Sequence, residues 1–146
     1  VASACLTERR IPGGSPLIEL AATDGGGFPR NGLVQKLLPF YRLGYLSLKE
    51  IVEKCSVNPA ETFGLHQKGN LGIGADADIT VLDMKRLDAA MSFAGGKRIM
   101  DHGRVTGSGG TFLTTKAGGK TAQEMQLNYQ IADTQRSALY GERTAK

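Results

Sequence analysis

The chain has 146 residues, 40% hydrophobic and 22% charged, which is the balance of an ordinary folding domain and excludes a disordered or membrane-embedded class. Its formal net charge of +4 is spread singly, with Arg9-Arg10, Lys85-Arg86 and Lys97-Arg98 as the basic pairs. No aromatic stacking pattern accompanies them, so nucleic acid is not an expected partner.

Residues 17–23, LIELAAT, are apolar except for Glu19 and lie between Gly13-Gly14-Ser15-Pro16 and Gly25-Gly26-Gly27, which predicts a buried parallel strand. Leu33, Val34, Leu37, Leu38 and Tyr41 then share one helical face, with Pro39 expected to kink or end that helix. Ser47 and Glu50 form a capping box for a second helix, whose apolar positions are Leu48, Ile51, Val52 and Cys55. Asn58, Pro59 and Glu61 read as the N-cap, N1 and N3 positions of a third, short helix ending near Gly64, so that helices two and three form a hairpin.

The texture changes after Leu65, where Gly69, Gly72 and Gly74 interleave with Leu71 and Ile73 ahead of a strand over Ala77–Met84. Residues 98–100 and 104–106 flank Asp101-His102-Gly103 as a tight hairpin, and residues 111–115 give another short strand, together a small antiparallel sheet. Thr121 and Glu124 open a tail helix with Ala122, Met125, Tyr129 and Ala132 on one face before Gly141.

No apolar run nears the ~20 residues that span a bilayer, and the opening VASACL is too short for a signal-peptide core, which predicts a cytoplasmic protein without a membrane partner. Cys5 and Cys55 have no metal-binding or disulfide spacing and are expected to be reduced. An opening Val and twenty glycines suggest a piece of something longer.

Asp24, at the end of the first strand, invites three readings. Gly25, Gly26, Gly27 and Arg30 could cradle a phosphate, but the spacing matches neither GxxxxGK[ST] nor GxGxxG. An aspartate before glycine commonly starts a turn. An aspartate at the carboxyl end of a barrel strand points into the catalytic face, where it can bind a metal and accept a proton.

The segment of residues 58–83, NPAETFGLHQKGNLGIGADADITVLD, resembles the signature that follows the catalytic barrel in the amidohydrolase superfamily, which includes dihydroorotases, hydantoinases and D-aminoacylases. TDGG with its Pro-Arg loop upstream and RIMDHGRVT downstream extend the likeness over roughly residues 17–115. The resemblance implies a TIM barrel flanked by a small β-sandwich. Asp24 then matches the last-strand aspartate, which in the family ligates the metal and shuttles a proton between water and the leaving nitrogen. Arg30 would contact substrate from the following loop. His66 and His102 have no place in the family's ligand set, and Asp76 and Asp78 fall where the family uses its acids structurally.

The expected architecture is therefore α/β plus β: residues 1–64 as the end of a metal-dependent hydrolase TIM barrel, 65–115 as a small composite β-sandwich, and 116–146 as a helical tail. The implied function is hydrolysis of a non-peptide or cyclic amide C–N bond in a small-molecule substrate, with a divalent metal, zinc by preference, held only in the complete enzyme. The isolated chain would bind no metal and be inactive, its partners being the remainder of the barrel and further copies of itself. The alternative from another class is a non-catalytic interaction or oligomerisation module, with Asp24 as a turn residue.

Overall fold

The computed structural model describes residues 18, 20–22, 32–108 and 110–137. It is a mixed chain of helices and sheets. Helix α1 (Leu33–Arg42) is followed by α2 (Leu48–Val52), a π-helical turn (Glu53–Val57) and α3 (Asn58–Thr62). Strands β1 (Ile79–Asp83), β2 (Asp88–Ala94), β3 (Lys97–Asp101) and β4 (Arg104–Val105) come next, then β5 (Phe112–Thr114), α4 (Lys116–Glu124) and β6 (Tyr129–Ile131).

Helix α1 runs through Pro39 to Arg42 rather than ending at it. It closes in a glycine cap: Gly44 at φ +78 donates to Tyr41 O, and Tyr45 N donates to Phe40 O. Ser47 then caps α2 as the sequence predicts, its hydroxyl accepting from Glu50 N at 3.1 Å while the Glu50 carboxylate accepts from Ser47 N at 2.8 Å.

The expected hairpin between helices two and three is overturned, because α2, the π turn and α3 run on without a break. Asn58 has helical backbone angles, φ −62 and ψ −41, and its N–H donates to Glu53 O, so it continues a helix instead of opening one. Proline has no N–H for an i→i−4 bond and crowds the preceding turn. The wider π turn immediately ahead of Pro59 accommodates both, so the chain does not break there.

The core gathers Leu37 and Leu38 of α1, Leu46 and Ile51, with Leu82 of β1 and Leu87 of the β1–β2 turn packing on. Leu38 is fully buried. Leu38→Ala is expected to cost about 2–5 kcal/mol through lost transfer free energy and a residual cavity, measured as a lower urea midpoint at unchanged m-value.

The sheet order is β1-β2-β3-β4, all antiparallel. Its last two hairpins turn through Gly95-Gly96 and His102-Gly103, each pair at positive φ, as two-residue hairpin loops demand. Residues 112–114 do not join this sheet: β5 pairs with β6 in parallel, and α4 is the crossover between them.

The tail helix expected from Thr121 is also corrected, since α4 starts at Lys116 and ends at Glu124. Gln126, at φ +54, turns the chain out of it, and the Asn128 side chain ties the exit to Thr111 Oγ1 at 3.0 Å. Gly119 packs α4 closely on β6, because a Cβ there would lie 3.3 Å from Ile131 Cδ1.

Candidate functional site

Asp24 and Arg30 lie outside the described residues. The chain leading to Asp24 is described at residues 18 and 20–22, and it is anchored to the helices rather than paired in a sheet. Ala21 N donates to Lys54 O at 3.1 Å, and the Lys54 ammonium donates back to Ile18 O. Residues 18 and 20–22 have no ladder partner among the described residues, and residues 17, 19 and 23 of the expected strand lie outside them. Lys54 is 2% exposed at the π turn. Its position three after Ile51 and beside Cys55 sets a cation within the apolar stripe of the helix, a signal visible in the sequence.

From α3 the chain enters residues 65–78, a loop braced by several of its own hydrogen bonds and ion pairs. Gly64 and Leu65 close the helix, donating to Glu61 O and Ala60 O. Gly69, at φ +76, slides beneath the helix, where a Cβ would meet Ser56 O at 2.6 Å and Ala60 Cβ at 2.8 Å. Asn70 folds back, donating to Lys68 O at 3.1 Å and accepting from Gly72 N at 2.9 Å.

Lys68 closes the loop by pairing with both acids of the Gly-Ala-Asp-Ala-Asp run, at 2.8 Å to Asp76 and 2.6 Å to Asp78. The other Asp78 oxygen accepts from Gly95 N at 2.8 Å, which fastens the loop to the β2–β3 turn. Asp76 and Asp78 are thus tied to a lysine and a hairpin, in keeping with a structural role.

Hydrogen bonds to Asp76 and then Asp78 hold the Lys68 ammonium above its ordinary pKa. The Lys68 ammonium, and then the Gly95 N–H, hold the Asp78 carboxyl below its own. A lowered carboxyl stabilises the fold above the unfolded value, about pH 4, and loses that contribution as pH falls through the lowered one. A raised ammonium stabilises below about pH 10.4 and loses its contribution as pH rises through the raised value.

All three side chains are about one-third exposed, 32% for Lys68 and 37% for each acid, so solvent screens the pairs. Lys68→Met is expected to cost about 1 kcal/mol. It should also flatten the fall of the thermal midpoint at both pH extremes; an unchanged pH profile would show that the clamp contributes nothing.

Between the helices and β1 lies an open groove of about 600 Å³, lined mainly by apolar side chains including Leu33, Ile51, Phe63, Leu71 and Ile79. Cys55 also lines it, its thiol pushed up in pKa by burial, with Lys54 opposing. This lining suits apolar contact, and the ion-paired Lys68 and Asp78 also border it.

The histidines are placed elsewhere. His66 approaches Asp133 at 3.6 Å, and His102 Nδ1 meets Asp101 in the β3–β4 turn. No group of three or more His, Cys, Asp or Glu among the described residues is arranged to hold a metal ion, so these residues do not fit such a centre. No helix among them is long and apolar enough to cross a membrane.

The profile of the Amidohydrolase family matches residues 22–119, which is 98 of the 146 positions. The chain is 45% identical over 53 residues to the dihydroorotase of Pyrococcus furiosus, covering 36% of this chain and 13% of that protein. It is 36% identical over 75 residues to the dihydroorotase of Archaeoglobus fulgidus, covering 49% and 18%. With the dihydroorotase of Methanothermobacter thermautotrophicus the identity is 42% over 60 residues, covering 40% and 14%. The matches thus span less than a fifth of the length of these relatives. No solved structure matches the chain. The matched span runs from Ala22 through the helices, the Lys68 clamp and the antiparallel sheet into α4, and by it the chain belongs to the amidohydrolase family.

Proposed function

We propose that this chain is the C-terminal portion of a metal-dependent amidohydrolase that cleaves a non-peptide or cyclic amide C–N bond. The observation that carries the reading is the continuous family match over residues 22–119, which contains Asp24 at one end and the clamp and sheet at the other. On this reading residues 1–64 complete a TIM barrel, and the antiparallel sheet is half of a flanking β-sandwich.

Asp24, at the mouth of the barrel, takes the proton of the hydrolytic water and delivers it to the leaving nitrogen. Arg30 contacts the substrate from the next loop. The complete enzyme needs a divalent metal, zinc by preference, whose ligands other than Asp24 come from beyond this chain. A zinc ion takes three or four protein ligands, so one carboxylate does not retain it and the isolated chain is inactive.

The partner is the remainder of the barrel, in the same longer chain or in another subunit. Relatives named dihydroorotase make dihydroorotate the first substrate to try. Combining the chain with a folded barrel portion should give hydrolysis that depends on added zinc. A well-folded combination that leaves dihydroorotate and other cyclic amides untouched with every divalent metal would sink the reading.

Self-association of the isolated chain is part of the same proposal, supported by the exposure of Leu71, Ile73, Val105 and Phe112. Sedimentation should show concentration-dependent growth in mass, whereas a clean monomer at high concentration would count against it. The same exposed residues would serve a non-catalytic interaction module, which the zinc-dependent assay separates from the enzyme.

A further inference from the structure

Strands β5 and β6 and helix α4 contact one another and, among the described residues, none of the other helices or strands. The unit is closed on itself by main-chain bonds of 2.8 Å from Phe112 N to Asn128 O and from Ala132 N to Thr114 O, and Gly119 seats the helix on Ile131. Gly107, Ser108 and Gly110 lie in the link that enters it from β4, and glycine and serine favour a pliant link. Two strands alone make a marginal sheet, so this unit is less stable than the core around Leu38 and leans on what it docks against.

Its docking runs through the turn after β6. The Asp133 carbonyl lies against Gly64, the Asp133 carboxylate meets His66 Nε2 at 3.6 Å, and Ser137 Oγ donates to Thr62 O. The same carboxylate accepts from Gln135 N at 3.1 Å, which keeps the turn in shape for these contacts. Between the three docking residues stand Phe63 and Leu65, and both line the apolar groove. The latch and the groove therefore share one wall, residues 62–66.

We propose that the β5-α4-β6 unit is a releasable flap. It opens as one body by letting go of residues 62–66 while the helix–sheet core stays folded, and its release loosens that wall of the groove. Opening of this kind is the expected behaviour of a small unit that packs within itself and is held by few contacts. The device is independent of any catalytic role of Asp24.

Amide hydrogen exchange of the full chain, followed by NMR, tests it with two substitutions. The Phe112 and Ala132 amides report the unit, Leu65, which donates to Ala60 O, reports the wall, and Ile51, which donates to Ser47 O, reports the core. Leu38→Ala weakens the core in the open and closed forms alike. It should speed exchange at Ile51 by roughly thirtyfold or more and leave Phe112, Ala132 and Leu65 unchanged. Gly64→Ala attacks the latch and should speed Phe112 and Ala132 by at least about tenfold. If Leu38→Ala does not fold, Ile51→Val replaces it with the Leu43 amide as core reporter; if Gly64→Ala does not, His66→Ala replaces it with an acceleration of roughly twofold or more.

Equal acceleration of unit and core amides by the core substitution would overturn the proposal, since the unit would then open only when the whole chain unfolds. Unchanged Phe112 and Ala132 exchange in a folded latch variant would overturn it as well. Leu65 following Ile51 instead of Phe112 would overturn the link between flap and groove.

Discussion

Asp24→Asn is expected to lower kcat of the assembled hydrolase by a factor of about 10²–10⁴, the usual contribution of a positioned general acid–base group. Asparagine has nearly the same size and keeps an acceptor oxygen, but it cannot take a proton at neutral pH. KM should therefore move little. The substitution also discriminates sharply between the two meanings of this residue. If Asp24 only opens the turn into Gly25-Gly26-Gly27, asparagine serves equally well, because both side chains bond locally to the backbone and tolerate turn geometry. Steady-state kinetics with whichever cyclic amide the assembled protein hydrolyses would measure the difference, and wild-type turnover in the variant would end the catalytic reading.

Gly64→Ala is expected to be strongly disruptive for a single added methyl. Gly64 sits at φ +66, so any L side chain there is strained, and its Cβ would be driven onto the main-chain carbonyl of Asp133. Backbone cannot yield as a flexible side-chain tip can. The segment around Asp133 would have to withdraw, and the hydrogen bond from Ser137 Oγ to Thr62 O would go with it. Left-handed strain and one lost buried bond together suggest about 2–4 kcal/mol. Gly44→Ala is the natural control, since Gly44 has φ +78 with nothing within 4 Å of a built Cβ. It should cost only the strain, about 1–2 kcal/mol. Urea denaturation of both variants isolates the collision, and equal losses would show that Asp133 gives way freely.

Where side chains and backbone spoke to each other locally, the sequence was readable. Ser47 with Glu50, and the His102-Gly103 turn, are contained within a few residues and formed as expected. The Gly-Ala-Asp-Ala-Asp run was legible as structural only through its family likeness, because its partner Lys68 lies eight and ten residues before the two acids.

The misreadings came from local signals overridden by their surroundings. Asn58-Pro59 has the composition of a helix start, yet a π turn absorbs the proline within a continuing helix. Thr121 and Glu124 have capping-box spacing but lie inside α4, whose first turns contain Gly118 and Gly119 and so looked unlike a helix. Strand β2, DAAMSFA, was not anticipated because its side chains do not alternate cleanly between apolar and polar. As for the candidate site, Asp24 rests on the family likeness alone and lies outside the described residues.

The bond between Ser137 and Thr62 joins residues 75 positions apart. At roughly 5–20 residues per second, about 4–15 s of synthesis separate the two ends of that contact. Throughout that interval the end of α3 is complete and still lacks the segment that packs over Gly64. A ribosome-bound chain thus displays this surface to chaperones and to other nascent chains before residues 133–137 arrive to cover it.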